Sequence, residues 1–278
     1  MEDFKITIVG LGLIGASLAL KLKAEGYRNV FGMDINDTVM EKACNQELIK
    51  EGNKETLKTS DVVIICLYPK DTVEFIKENV ENIKSDALIT DVSGVKGTVV
   101  EAVNGLLIDE QLFISGHPMA GREEGGFDNG IPHLFQGANY LLITDNEIKD
   151  RRLTWLKGLV IELGAKPIEI GLKKHDEMIA LTSQVPHVIA SVMTRVNTFD
   201  DTKKFVGNSF DDMTRISLIN EKLWSELFIH NKKELSSILL KIKDEISRFI
   251  DIIEAEDQET CEALLKETRL KREEYLKQ

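Results

Sequence analysis

Apolar residues fall into two rhythms along the chain. Up to about residue 170, short apolar runs alternate with amphipathic stretches. Lys5–Val9 is β-branched and apolar and Val62–Leu67 is a continuous apolar run, as buried strands are; Val30–Asp34, Ala87–Asp91, Leu112–Ser115, Tyr140–Ile143 and Ala165–Ile170 also read as strands. Helical spacing predicts helices from Ala16 to Leu22, over 37–49 and 71–83, up to about Val103, and over 147–163. Strictly alternating strands and helices predict a doubly wound parallel α/β sheet with helices on both faces. After about residue 170 no convincing strand remains. Helical spacing covers 173–198, a polar break runs from Asn208 to Thr214, and 257–277 reads as a charged helix. Over 232–254, Leu235, Ile238, Leu239, Ile242, Ile246, Phe249, Ile250 and Ile253 form one apolar stripe. The expected division is a sheet domain over 1–170 and an all-helical domain over 171–278. The stripe can bury against its own domain or a second chain, and a twofold dimer is the default for the second case.

The first strand runs directly into Gly10-Leu11-Gly12-Leu13-Ile14-Gly15, and the first helix follows at once. Strand, glycine turn and helix in this order form a dinucleotide cradle of the Rossmann-like kind. Gly10 permits the tight turn, Gly12 lets backbone approach a pyrophosphate, and Gly15 allows close packing of helix on strand. The helix N-terminus then offers free N–H groups and the positive end of its dipole to phosphate. The second strand ends in Asp34, placed to accept hydrogen bonds from ribose hydroxyls. Ile35-Asn36-Asp37 supply no arginine for a 2′-phosphate, so NAD is the expected cofactor rather than NADP.

Composition narrows the partners. The chain has 278 residues, a formal charge of −12 and 29% charged residues, which disfavours nucleic acid and anionic membranes. An anionic ligand must therefore be held by a few placed cations. Cys44, Cys66 and Cys261 form neither a disulfide framework nor a zinc spacing, so no metal is expected and a reducing compartment fits. No apolar run approaches a membrane span and the chain opens straight into a strand, so a cytoplasmic protein is expected.

Ligands of such sheets bind beyond the carboxyl ends of strands. Three segments there carry unusual polar residues: Asp91-Val92-Ser93-Gly94-Val95-Lys96, Gly116-His117-Pro118-Met119-Ala120-Gly121-Arg122-Glu123, and the Tyr68-Pro69 turn. His117 is the first candidate for proton chemistry, because imidazole titrates near neutral pH and alcohol oxidation needs a proton acceptor. In the helical part, His187 shares a face with Ala180, Ser183, Gln184 and Ser191, so it either lines a pocket or is a core histidine. Arg215 follows the polar break and suits a carboxylate, or a surface pairing with Asp211 or Asp212. His133, His175 and His230 read as structural or exposed.

Five segments together resemble the prephenate dehydrogenase family: GLGLIGASLA, TDVSGVKG, GHPMAGREEGG, HDEMIALTSQVPH and TRISLINEKLW. The resemblance covers about residues 4 to 260. It implies a Rossmann-like domain followed by an all-helical dimerisation domain. It also implies NAD- or NADP-dependent oxidative decarboxylation of prephenate to 4-hydroxyphenylpyruvate, on the way to tyrosine, or the parallel reaction of arogenate. His117 then matches the family histidine that takes the ring-hydroxyl proton, Arg215 the arginine that binds a substrate carboxylate, and His187 a pocket histidine. Glu123 matches an acid that helps gate the pocket, and Ser93 lies beside the position where many members carry a substrate serine. The cofactor residues become Gly10, Leu11, Gly12, Leu13, Ile14, Gly15, Asp34, Tyr68 and Pro69. The chain departs from the pattern at Gly94, where many members have Ser, at Gln184, where many have His, and at Arg122, where some have Thr. A β-hydroxyacid dehydrogenase would need a lysine in a glycine-rich context, which Lys173 and Lys174 lack. An NAD-reading sensor without turnover is a third class, separated by an assay for NADH formation.

Overall fold

The structure, a computed structural model, describes residues 4–122, 124–144 and 148–277. It opens with β1 (Ile6–Val9), α1 (Leu13–Ala24), β2 (Val30–Met33) and α2 (Asp37–Asn45). Then come β3 (Lys50–Glu51), α3 (Lys54–Leu57), β4 (Val62–Ile65), α4 (Pro69–Asn79), β5 (Leu88–Asp91), α5 (Gly97–Asn104) and β6 (Leu112–Phe113). These strands form one sheet in the order β3-β2-β1-β4-β5-β6, with every pair parallel. The order reverses between β1 and β4, the position at which such sheets open a ligand crevice. β1, β4 and β5 are buried along their whole length, which explains their unbroken apolar sequences. Each face of the sheet carries its own apolar core.

The chain then leaves this sheet. β7 (Gly116–Pro118), β8 (Asn139–Ile143), α6 (Arg151–Glu162) and β9 (Lys166–Ile170) build a separate sheet, with β7 antiparallel to β8 and β8 parallel to β9. The sequence reading instead ran one parallel pattern to residue 170 and put His117 in a loop. Two local causes account for the difference. Ser115 and Gly116 both donate to Asp91 Oδ1, at 2.5 and 3.3 Å, which turns the chain out of the first sheet after a two-residue strand. Among the described residues between β7 and β8 the structure is turns and one short 3-10 segment at Phe127–Asn129, so no α-helical crossover forces a parallel pairing.

A helical stretch follows: α7 (Leu172–Ile179), one π-helical turn at Ala180–Gln184, α8 (Val185–Val196), α9 (Asn208–Thr214) and α10 (Glu221–His230). Sequence periodicity ran 173–198 as one uniform helix. Pro186 lacks the N–H that would bond back to Thr182, and the helix widens just ahead of it. Residues 208–214, expected as a polar break, are helical; Thr214 Oγ1 closes their last turn by donating to the Phe210 carbonyl at 2.7 Å. The chain to Asn231 forms one compact unit, and Lys232 begins another. That second unit is the hairpin of α11 (Lys232–Glu254) and α12 (Gln258–Tyr275), with Asp257 accepting the Thr260 N–H at 3.0 Å as the cap of α12. Leu240, Ile246, Ile250 and Ile253 of α11 are exposed on the single chain, as are Leu265 and Leu270 of α12. No helix among the described residues is long and apolar enough to cross a membrane.

Candidate active site

At the end of β1 the backbone turns sharply at Gly10, where φ is +87° and a side chain would strike the Cys66 carbonyl at 2.7 Å. A Cβ on Gly15 would lie 1.9 Å from the Gly10 carbonyl, so turn and helix close on each other only without one. α1 starts at Gly12 with no side-chain cap, and the space where a Gly12 side chain would stand is open. The first turn of α1 therefore begins beside open space, and its N–H groups suit an anion there. Leu13 and Ile14 are half-buried in this turn, whereas Leu11 is buried. Leu11 donates its N–H to Asp34 Oδ2 at 2.7 Å, and Asn36 donates to Asp34 Oδ1 at 2.9 Å, which pins the carboxylate beside the turn. Cradle, dipole and fixed acid together fit a dinucleotide. Tyr68 caps α4 and Pro69 begins it; the Tyr68 hydroxyl accepts the Asn220 amide at 3.2 Å. Lys70 N–H donates to Glu226 at 2.6 Å, so this turn meets α10.

The ends of β5 and β6 carry a buried polar junction. Asp91, fully buried, accepts from Ser93 N at 3.0 Å, from the Ser93 hydroxyl, from Lys96 Nζ at 2.8 Å, and from Ser115 and Gly116. Lys96 is also fully buried, an environment that pushes its ammonium pKa down while Asp91 opposes the shift. Ser93, expected at the substrate, does not present a free hydroxyl: it is 5% exposed and bonded to Asp91 and to the Val95 carbonyl. The neighbouring Gly94 is the residue that faces the chemistry. A Cβ there would lie 3.8 Å from His117 Nε2 and 3.4 Å from Leu227 of α10.

His117, on β7, pairs through Nδ1 with Nε2 of His175 at 2.9 Å. His175, on α7, pairs through Nδ1 with Asp176 Oδ1 at 2.7 Å, and Asp176 accepts Lys96 N–H at 3.1 Å and Gly97 N–H at 2.7 Å. Burial, with His175 and Lys96 nearby, holds His117 well below the ordinary imidazole range. Burial lowers His175 too, against the pull of its Asp176 bond. Of this cluster, sequence reasoning missed His175 and Asp176, and it singled out the segment from Asp91 to Lys96 without assigning a role to either end. Their signal was present: a His-Asp pair inside HDEMIALTSQVPH, and an acid ending an apolar strand, as Asp34 does.

The other candidates make contacts of their own. His187, half-buried, stacks on Trp224 with ring centroids 3.6 Å apart and pairs through Nδ1 with the Ser183 carbonyl at 2.8 Å. Burial lowers its pKa against that bond. Arg215 lines a concavity of about 300 Å³ with Thr194, Asn197, Phe210, Asp211, Thr214, Ser217 and Leu218, and no other expected site residue lines it. Glu123 lies outside the described residues.

A parallel sheet with strand order reversing at a glycine turn, an acid after β2, and a helical part that pairs its His175 with His117 of β7 define a nicotinamide-dependent dehydrogenase. A model of the nucleotide-binding domain of prephenate dehydrogenase matches residues 18–169, and one of its dimerization domain matches 172–267. The chain belongs to the prephenate dehydrogenase family. It is 31% identical to the prephenate dehydrogenase of Lactococcus lactis over 271 residues, covering 89% of this chain and 73% of that protein. The crystal structure of prephenate dehydrogenase from A. aeolicus, in complex with hydroxyphenyl propionate and NAD+, superposes with a TM-score of 0.88 at 26% identity, covering 99% of each chain. Synechocystis arogenate dehydrogenase superposes with a TM-score of 0.84 at 26% identity, covering 98% of this chain and all (100%) of that one.

Proposed function

We propose that the chain catalyses NAD-dependent oxidative decarboxylation of prephenate to 4-hydroxyphenylpyruvate in tyrosine biosynthesis. The observation that carries this reading is His117, whose Nε2 borders the gap left by Gly94 at the carboxyl ends of the strands. Gly10 and Leu11 shape the turn, their N–H groups bonded to the Met33 carbonyl and to Asp34, and Gly15 lets α1 close on it. The N–H groups of Gly12, Leu13 and Ile14, with the α1 dipole, would hold the diphosphate of NAD. Asp34 would take the ribose hydroxyls, and the Tyr68-Pro69 turn would flank the cofactor. NAD, when bound, supplies the hydride acceptor. His117 takes the proton of the ring hydroxyl: the substrate O–H bond breaks as an N–H bond forms at Nε2. Departure of the ring carboxylate as CO2 leaves an aromatic ring, so the protein has only to orient the ring and hold the charges. Arg215 binds a substrate carboxylate, His187 lines the pocket, and Glu123 gates it. Ser93 holds the Asp91 loop in place, so that Gly94 leaves room at Nε2.

In this reading residues 1–170 form the dinucleotide domain and 171–278 the substrate and dimerisation domain of a cytoplasmic homodimer. The apolar residues of α11 and α12 left exposed on one chain support that dimer. Arogenate is the second substrate considered, favoured by the likeness to the Synechocystis enzyme. NADH formation with each substrate tests the proposal. Turnover of prephenate with the higher kcat/KM is expected; turnover of arogenate alone replaces the substrate, and turnover of neither removes the reading.

A further inference from the structure

The array behind His117 does more than fill space. An ionised carboxylate only accepts hydrogen bonds, and Asp176 already receives two backbone N–H groups in addition to His175. The His175 nitrogen facing it, Nδ1, therefore carries a proton. A neutral His175 then has its lone pair at Nε2, which faces His117 Nδ1 at 2.9 Å. That contact is a hydrogen bond only if His117 carries its proton on Nδ1, which leaves Nε2 as a lone pair toward the gap beside Gly94. We propose that His175 and Asp176 are positioning residues that lock His117 in its Nδ1–H tautomer, so that Nε2 is always the atom that accepts the substrate proton.

This inference rests on the reading of His117 as proton acceptor. Nothing else need move in the step: the substrate O–H bond breaks, the Nε2–H bond forms, and the Nδ1–H of His117 goes on donating to His175 Nε2. The imidazolium so formed is balanced through His175 by Asp176. The other charged groups facing the two rings are Lys96 and its partner Asp91. Lys96 cannot accept from either ring, so it does not compete for the proton. The backbone bonds to Lys96 and Gly97 matter as much as the carboxylate, because they fix Asp176 while the rings respond.

The test is long-range proton–nitrogen NMR on the full chain with ¹⁵N-labelled histidine and no substrate, His117→Asn identifying the signals. A protonated Nδ1 and an unprotonated Nε2 on His117 are expected. The opposite tautomer, or an even mixture, overturns the proposal, whether or not any variant folds. His175→Ala should scramble the tautomer and lower kcat by about tenfold or more while KM changes less than about threefold, the pattern of a lost orienting bond. His175→Gln, whose side-chain oxygen can take Nδ1–H, should recover part of that loss. A His175→Ala protein that keeps the tautomer and kcat, with only a lower Tm, shows a structural role and also overturns it. The tautomer is read without substrate. A protein with the expected tautomer that forms no NADH from prephenate therefore keeps this inference and loses the substrate reading.

Discussion

His117 has to be neutral to accept a proton, and its enclosure keeps it so. The pKa lies well below the ordinary imidazole range, so kcat/KM should stay flat through neutral pH and fall only at acid pH. A kinetic midpoint at or above the ordinary histidine value would refute this. The same shift acts on stability. Between the ordinary value and the depressed one, the unfolded chain binds a proton that the folded chain does not, so this contribution to stability is lost as pH falls through that window. His117→Asn should lower kcat by roughly 10²–10⁴ with NAD affinity retained, the usual worth of a positioned base. Gly94 offers a second probe at this scale. Alanine fits there at ordinary contact distance from Leu227, but the branched side chain of Gly94→Val would fill the space beside Nε2. That variant should lose at least about tenfold in kcat/KM for prephenate and bind NAD normally; unchanged kinetics would place the substrate elsewhere. His117 and Asp34 were legible in the sequence, because a lone imidazole and an acid after a strand announce their chemistry. His175 was not, since its role comes from a partner 58 positions away.

Elements legible from sequence were those whose cause is local. β1, β4 and β5 are apolar throughout because both faces are covered. The glycine turn is forced by the approach of α1 to Gly10. The second sheet was not legible, because β7 owes its direction to a carboxylate on β5 rather than to its own residues. The π turn was hidden for a similar reason, since helical spacing cannot register one added residue. That turn brings Gln184 inward, where it donates to the Leu227 carbonyl at 3.0 Å and accepts from Asn231 at 2.8 Å. Asn231 also donates to the Asp176 carbonyl at 3.0 Å, so the π turn, α7 and α10 share one buried amide pair. Asn231→Leu strands these groups and should cost about 1–3 kcal/mol, measured by urea unfolding. A loss within error would mean that the network contributes nothing net.

For the whole molecule, the apolar positions left uncovered on one chain are where the proposed dimer can be tested. Ile250 is 48% exposed, on the stripe expected to meet a second copy. Ile250→Glu should yield monomers in sedimentation at micromolar concentration, because a dimer core rejects an unpaired charge. A dimer of unchanged affinity would move the contact to another surface. The junction at Asp91 also governs the molecule as a whole, through time rather than stability. Its donors come from the loop after β5 and from the point where the chain enters the second sheet, 24 and 25 residues further on. The junction is complete only once the chain has turned toward the second sheet, so its full contribution is expected to arrive after the main barrier to folding. Asp91→Asn should therefore leave the refolding rate nearly unchanged and speed unfolding, so that nearly all of its cost lies in the unfolding arm of a chevron plot. The carboxylate then acts as a latch on the lifetime of the folded chain, and refolding slowed in proportion to the lost stability would show that it acts earlier.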